Sequence, residues 1–148
     1  MTSFREIHAA YLATDDDLLS RETHARTPNR KAHWVRLRLY NDHAYFVMLF
    51  AQLEQHIDAE CTALIARKKA SARWTVGRLW DSVDVDHLNF MRKVALLTDK
   101  GRAIYAQVDA NYDTRCRIAH GDSTLVGPIA LPVVARDLQT IAKAMKAR

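Results

Sequence analysis

The chain has 148 residues, a common size for one globular domain, with 49% of them hydrophobic and 26% charged. Four glycines and three prolines are too few for the tight turns of a hairpin-rich β protein, so an all-α fold is expected. A net charge of +5 suits a polyanionic partner without requiring one.

Ser3 is placed to cap a first helix, in which Phe4, Ile7, Ala10 and Tyr11 recur at three- and four-residue spacing. Asp15, Asp16 and Asp17 read as an interruption of that helix or as the opening of a second piece through Leu18 and Leu19, and a solvated acidic turn is preferred there over a cation site. Pro28 cannot sit in a helix interior and forces a turn around Thr27. The longest periodic segment covers about residues 32–69, with a break or cap left open at Asn41 and Asp42. Its stripe of Phe46, Phe50, Leu53, Ile57, Cys61 and Leu64 is widened by Val47, Leu49 and Ile65. That width fits a central helix packed on several neighbours. Arg67, Lys68 and Lys69 close it with the charge that the helix dipole favours.

Residues 71–82, with Trp74, Gly77 and Trp80, read as a connection or a short helix. A helix over about 84–97 carries Leu88, Met91, Val94 and Ala95, and Asp99-Lys100-Gly101 breaks it. The next helix, about 102–119, ends at His120-Gly121, a glycine termination signal. A loop over 122–131, with Gly127 and Pro128, leads past Pro132 to a last amphipathic helix over about 133–145. The expected architecture is one all-α domain over residues 1–148, a compact bundle of about five helices.

Cys61 and Cys116 are too few and too far apart for a zinc site or a disulfide framework. No apolar leader and no stretch of about 18 uncharged apolar residues occurs, so a cytoplasmic protein without a membrane span is expected. His33, His43, His56 and His87 do not fall at paired ligand spacing, and no phosphate-cradling glycine motif is present. No metal and no cofactor is expected.

On the penultimate helix Ile104, Val108, Tyr112, Arg115 and Ala119 share one stripe, so Arg115 interrupts an apolar face. A guanidinium there needs a carboxylate or a cleft, and Glu54, between Phe50 and Ile57, is a candidate partner. An internal ion pair joining two helices would account for both residues. His120, at the helix end, is expected to be open to solvent, and histidine both takes and gives a proton near neutral pH. A terminal histidine interacting with the helix dipole is the plainer alternative. Residues five apart on a helix diverge by about 140°, so Arg117, three before His120, is its nearer neighbour.

The string Arg115-Cys116-Arg117-Ile118-Ala119-His120-Gly121 resembles the Arg-x(4–6)-His motif of the HEPN superfamily, many of whose members read Arg-Asn-x-Ile-Ala-His-Gly. The order of elements is similar too: a long aromatic second helix with an acidic residue (Glu54), the motif helix, then one closing helix. Cys116 stands where the family usually has a polar residue, and no tyrosine lies two positions after His120. The resemblance implies a helical bundle that dimerises, bringing two motif copies into one cleft. It implies a metal-independent endoribonuclease acting as a toxin, phage-defence effector or RNA-processing enzyme. His120 is then the general acid/base, Arg115 stabilises the phosphate and Glu54 orients Arg115. Arg117, Lys68, Lys69 and Arg73 are candidates for contact with RNA. An antitoxin or regulatory protein is a further implied partner. The alternative is a non-catalytic HEPN-like module that binds nucleotide or a partner protein.

Overall fold

A computed structural model of the chain describes residues 3–122 and 126–146. Residues 123–125, part of the loop expected after His120, lie outside the described residues. Among the described residues there are six α-helices, one 3₁₀ turn and no strand. In order they are α1 (Phe4–Thr23), α2 (Pro28–Lys69), α3 (Trp74–Asp81), a 3₁₀ turn (Val85–His87), α4 (Phe90–Leu97), α5 (Ala103–Ala119) and α6 (Leu131–Ala144). None of the described helices is long and apolar enough to cross a membrane.

The packing divides into two units. One holds the residues up to Gln52 with Tyr112–Gln139; the other holds Leu53–Asn111 with the residues from Thr140 onward. In the first unit, Ile7 and Tyr11 of α1, Phe46, Leu49 and Phe50 of α2, and Leu131, Ala135 and Leu138 of α6 are buried. Phe46 and Phe50 stack with ring centroids 6.2 Å apart, and Phe50 meets Tyr112 of α5 at the same distance. In the second unit the buried set is Leu53, Ile57, Cys61, Leu64 and Ile65 of α2, Val94 of α4, Val108 of α5, and Ile141, Ala142 and Met145. The apolar stripe expected for the long helix is therefore buried along its length, except Val47, which is half-buried.

Three expected boundaries differ. First, α1 runs straight through the acidic triplet, because that charge is compensated. Arg21 binds Asp17 at 2.8 Å, and Arg38 donates to both carboxylate oxygens of Asp15, at 2.8 and 3.0 Å, and to Glu22 at 3.0 Å. Second, α2 starts at Pro28 rather than near 32 and is unbroken at Asn41 and Asp42. Thr27 is its cap, its hydroxyl accepting from Arg30 N and its carbonyl from Lys31 N, while Pro28 takes the first helical position, where its missing N–H costs nothing. Third, the expected 84–97 helix begins only at Phe90, capped by the Asn89 carboxamide accepting from Arg92 N, while of the two readings for 71–82 the short helix is the one found, at 74–81.

Cross-helix hydrogen bonds fix the packing. Tyr11 donates to Asp42 at 2.9 Å, and Thr14 and Tyr45 share a hydroxyl contact at 3.2 Å. In the second unit the Cys61 thiol donates to the Lys93 carbonyl, Lys93 binds Asp58 at 2.8 Å, and His56 donates to the Met145 carbonyl at 3.1 Å. Burial pushes the Cys61 thiol up to about 11.

Burial also raises the Asp42 carboxyl above its usual range, against the lowering effect of the Tyr11 hydrogen bond. Above the unfolded carboxylate value of about 3.9, the folded state then binds more protons than the unfolded chain. Its contribution to stability is complete at low pH and is lost as pH rises through the raised value. Asp42→Asn removes this dependence, so the stability of the variant relative to wild type should increase from pH 4 to pH 7. Urea unfolding across that range tests it; a constant difference would contradict it.

Candidate functional site

The motif lies on the last turn and a half of α5. Three residues before Arg115, the Tyr112 ring packs on Phe50, which fixes how this half of α5 is rotated in the first unit. Arg115 is half-buried and its Nε is withdrawn from solvent, as expected for a cation on an otherwise apolar stripe. Cys116 is half-buried as a free thiol.

The helix ends in a defined way. His120 N donates to the Cys116 carbonyl at 2.9 Å, Gly121 N to Ile118 at 3.2 Å and Asp122 N to Arg117 at 2.9 Å. The last two bonds are the paired 5→2 and 6→1 bonds of a Schellman turn, with His120 as the capping residue. Gly121 adopts φ +84°, the left-handed region that only glycine enters without a Cβ penalty. His120 is thus presented at an exposed helix end by backbone geometry and not by side-chain packing.

The other expected residues are distributed as follows. Arg117 is exposed and bound to Asp113 one turn earlier at 2.9 Å, a solvated pair of little energetic weight. Glu54 is half-buried on α2 and belongs to the second unit, whereas Arg115 and His120 belong to the first. Lys68, half-buried, and Lys69, exposed, end α2, and exposed Arg73 caps α3. Here α3 turns back closely on the end of α2: a Cβ on Gly77 would lie 3.1 Å from the Lys69 carbonyl oxygen. Trp74 and Leu79 are exposed on the same short helix, with the Arg78 guanidinium 5.0 Å from the Trp74 ring centre.

Among the described residues no group of three or more His, Cys, Asp or Glu side chains is placed to hold a metal ion. His56, one turn from Glu60, is occupied by the Met145 carbonyl. His43 is buried and its Nε2 donates to the Gly127 carbonyl at 3.4 Å, tying α2 to the segment that precedes α6.

The sequence-based expectation did not include Arg26, Arg30, Lys31 or Trp34; the three cations are exposed and Trp34 is half-buried, while the nearby Arg38 is consumed by Asp15 and Glu22. The signal for them is charge density: six cations against one acid in 21–38.

Comparison of the chain with models of known families, with curated proteins and with solved structures finds no match.

The Schellman turn yields a direct expectation. Gly121→Ala forces an L-residue into the left-handed region and should cost about 1–2 kcal/mol. Gly127→Ala, at a position with no positive φ and open space around a new Cβ, should cost far less. Equal denaturation midpoints for the two variants would contradict this account of how the helix ends.

Proposed function

We propose that the chain is a HEPN-type endoribonuclease that cleaves RNA without a metal, using Arg115 and His120 in a cleft between two copies of the protein. One observation carries the reading. His120 stands exposed at a helix end that the Gly121 turn holds fixed, and five residues earlier on the same helix Arg115 is drawn half into the protein. The motif's resemblance to the family supports the same assignment.

The chemistry follows from the two side chains. His120 removes the proton of a ribose 2′-hydroxyl, and that oxygen bonds to the adjacent phosphorus. The bond from phosphorus to the 5′ oxygen breaks, and the leaving oxygen takes a proton from an imidazolium. The products are a 2′,3′-cyclic phosphate and a 5′-hydroxyl. Arg115 stabilises the negative charge that builds on the non-bridging oxygens, as a planar, permanently charged donor suits. Residues five apart on one helix point about 140° apart, so two facing copies bring both groups to one phosphate more readily than a single helix does. A homodimer belongs to the reading for that reason.

The test is incubation of purified protein with end-labelled RNA in EDTA. Wild type should cleave. His120→Ala should lose about 10²–10⁴-fold in rate, the usual contribution of general acid–base catalysis. Arg115→Ala should lose about 10²–10³-fold, as for removal of a charge-stabilising donor. His120 is exposed, so His120→Ala should melt like wild type. Equal cleavage by wild type and His120→Ala would remove the catalytic reading. Absence of cleavage by wild type across varied RNAs would favour the non-catalytic module.

A further inference from the structure

The positive charge of the chain is concentrated. Residues 21–38 carry six Lys or Arg against the single acid Glu22, and residues 67–78 carry five against none. The remainder holds eleven cations against sixteen acids, so both basic runs stand out from an acidic background. The second run contains Lys68, Lys69 and Arg73. The first occupies the last turn of α1, the connecting turn and the start of α2.

At the start of α2 the charges have the wrong sign for local stability. The first turn of this 42-residue helix has no acidic residue, although its unpaired N–H groups and dipole favour anions. It carries Arg30 and Lys31 instead, both exposed, with exposed Arg26 just ahead of it and exposed Arg36 behind. No hydrogen bond or ion pair to the side chains of Arg26, Arg30, Lys31 or Arg36 is seen among the described residues. Such repulsion is retained where a sequence serves a ligand rather than its own stability.

The same place holds a shallow recess. Asn29, Arg30, His33 and Trp34 line an open cavity of ≈ 440 Å³. Trp34 is half-buried and held from two sides: the Arg21 guanidinium lies 5.3 Å from its ring centre, and His33 meets it edge-on at 5.2 Å. Arg21 is itself braced by Asp17. An aromatic ring fixed in advance loses little entropy when a base packs on it. The Asn29 carboxamide offers both a donor and an acceptor for a base edge.

We infer that this end of the first unit binds single-stranded RNA, its phosphates on Arg26, Arg30 and Lys31 at the N-terminus of α2, and a base in the recess beside Trp34 and Asn29. RNA as the ligand rests on the function proposed above; the surface adds to that function a contact outside the Arg115–His120 motif. A flexible strand that alternates phosphates with flat bases matches cations set beside an aromatic recess. A duplex or a sulfated polysaccharide offers the charge without an unstacked base.

The experiment is fluorescence anisotropy of a labelled 12-nucleotide RNA with His120→Ala protein, over a salt series, so that binding is read without cleavage. Neutralising three phosphate contacts in Arg26→Gln/Arg30→Gln/Lys31→Gln should lower the log–log salt slope by about 2 and weaken binding at least about tenfold. Trp34→Leu should weaken RNA binding about tenfold while leaving the salt slope unchanged. Lys100→Gln/Lys143→Gln/Lys146→Gln, with the same loss of charge at exposed positions elsewhere, should bind as the parent does. Circular dichroism melts identify any variant that fails to fold, and for such a variant Arg30→Gln alone should lower the slope by about 0.7. Unchanged binding by the Arg26/Arg30/Lys31 variant, or equal loss in the Lys100/Lys143/Lys146 control, would overturn the inference. So would equal affinity for heparin and duplex DNA together with no effect of Trp34→Leu, which would mark a general polyanion surface. Should His120→Ala still cleave RNA, the catalytic reading fails while this comparison of affinities stands. Should cleavage depend on His120 while the triple variant binds normally, the inference alone fails.

Discussion

No glycine and no internal proline interrupts the 42 residues from Pro28 to Lys69, so one helix has to supply packing for nearly everything else. Phe46, Leu49, Phe50, Leu53, Ile57, Cys61, Leu64 and Ile65 are buried along it, each worth roughly 1.5–3 kcal/mol for its full burial. The polar contacts attach to the same helix. Tyr11 and Asp15 tie α1 to Asp42 and Arg38; the Cys61 thiol and Asp58 hold Lys93 of α4; Phe50 receives Tyr112 of α5; His56 takes the carbonyl just after α6. Loss of the α2 stripe would therefore remove the partner of α1, α4, α5 and α6 alike.

The motif sits at the end of this chain of dependence. Phe50 sets the rotation of α5 through Tyr112, and the Gly121 turn then sets where α5 stops. Arg115 follows from the first constraint and His120 from the second. In the function proposed above, a pair built this way needs little side-chain packing around the histidine, which leaves room for a ligand as large as RNA.

Legibility in the sequence followed the range of the forces involved. The α2 stripe was readable because 3.6-residue periodicity persists over many turns. The end of α5 was readable because Gly121 marks it. The Asp15–Asp17 run was misread as a break because Arg38, which compensates Asp15, lies 23 residues away in sequence. The eight-residue α3 was ambiguous because Gly77 argues against a helix until its close approach to Lys69 is known. Starting α2 near residue 32 instead of at Pro28 had a consequence beyond the boundary. It left Arg30 and Lys31 outside the helix, so their conflict with the dipole could not be seen. Glu54 was matched to Arg115 by its border position on the stripe alone, and it is half-buried as that position requires.

The chemistry assigned to His120 is most directly tested by the ends of the cleaved strand. Attack by the 2′-hydroxyl predicts 2′,3′-cyclic phosphate and 5′-hydroxyl termini by mass spectrometry, and no cleavage at a linkage whose ribose is replaced by 2′-deoxyribose. Products with 3′-hydroxyl and 5′-phosphate ends, or cutting at the deoxy position, would contradict it.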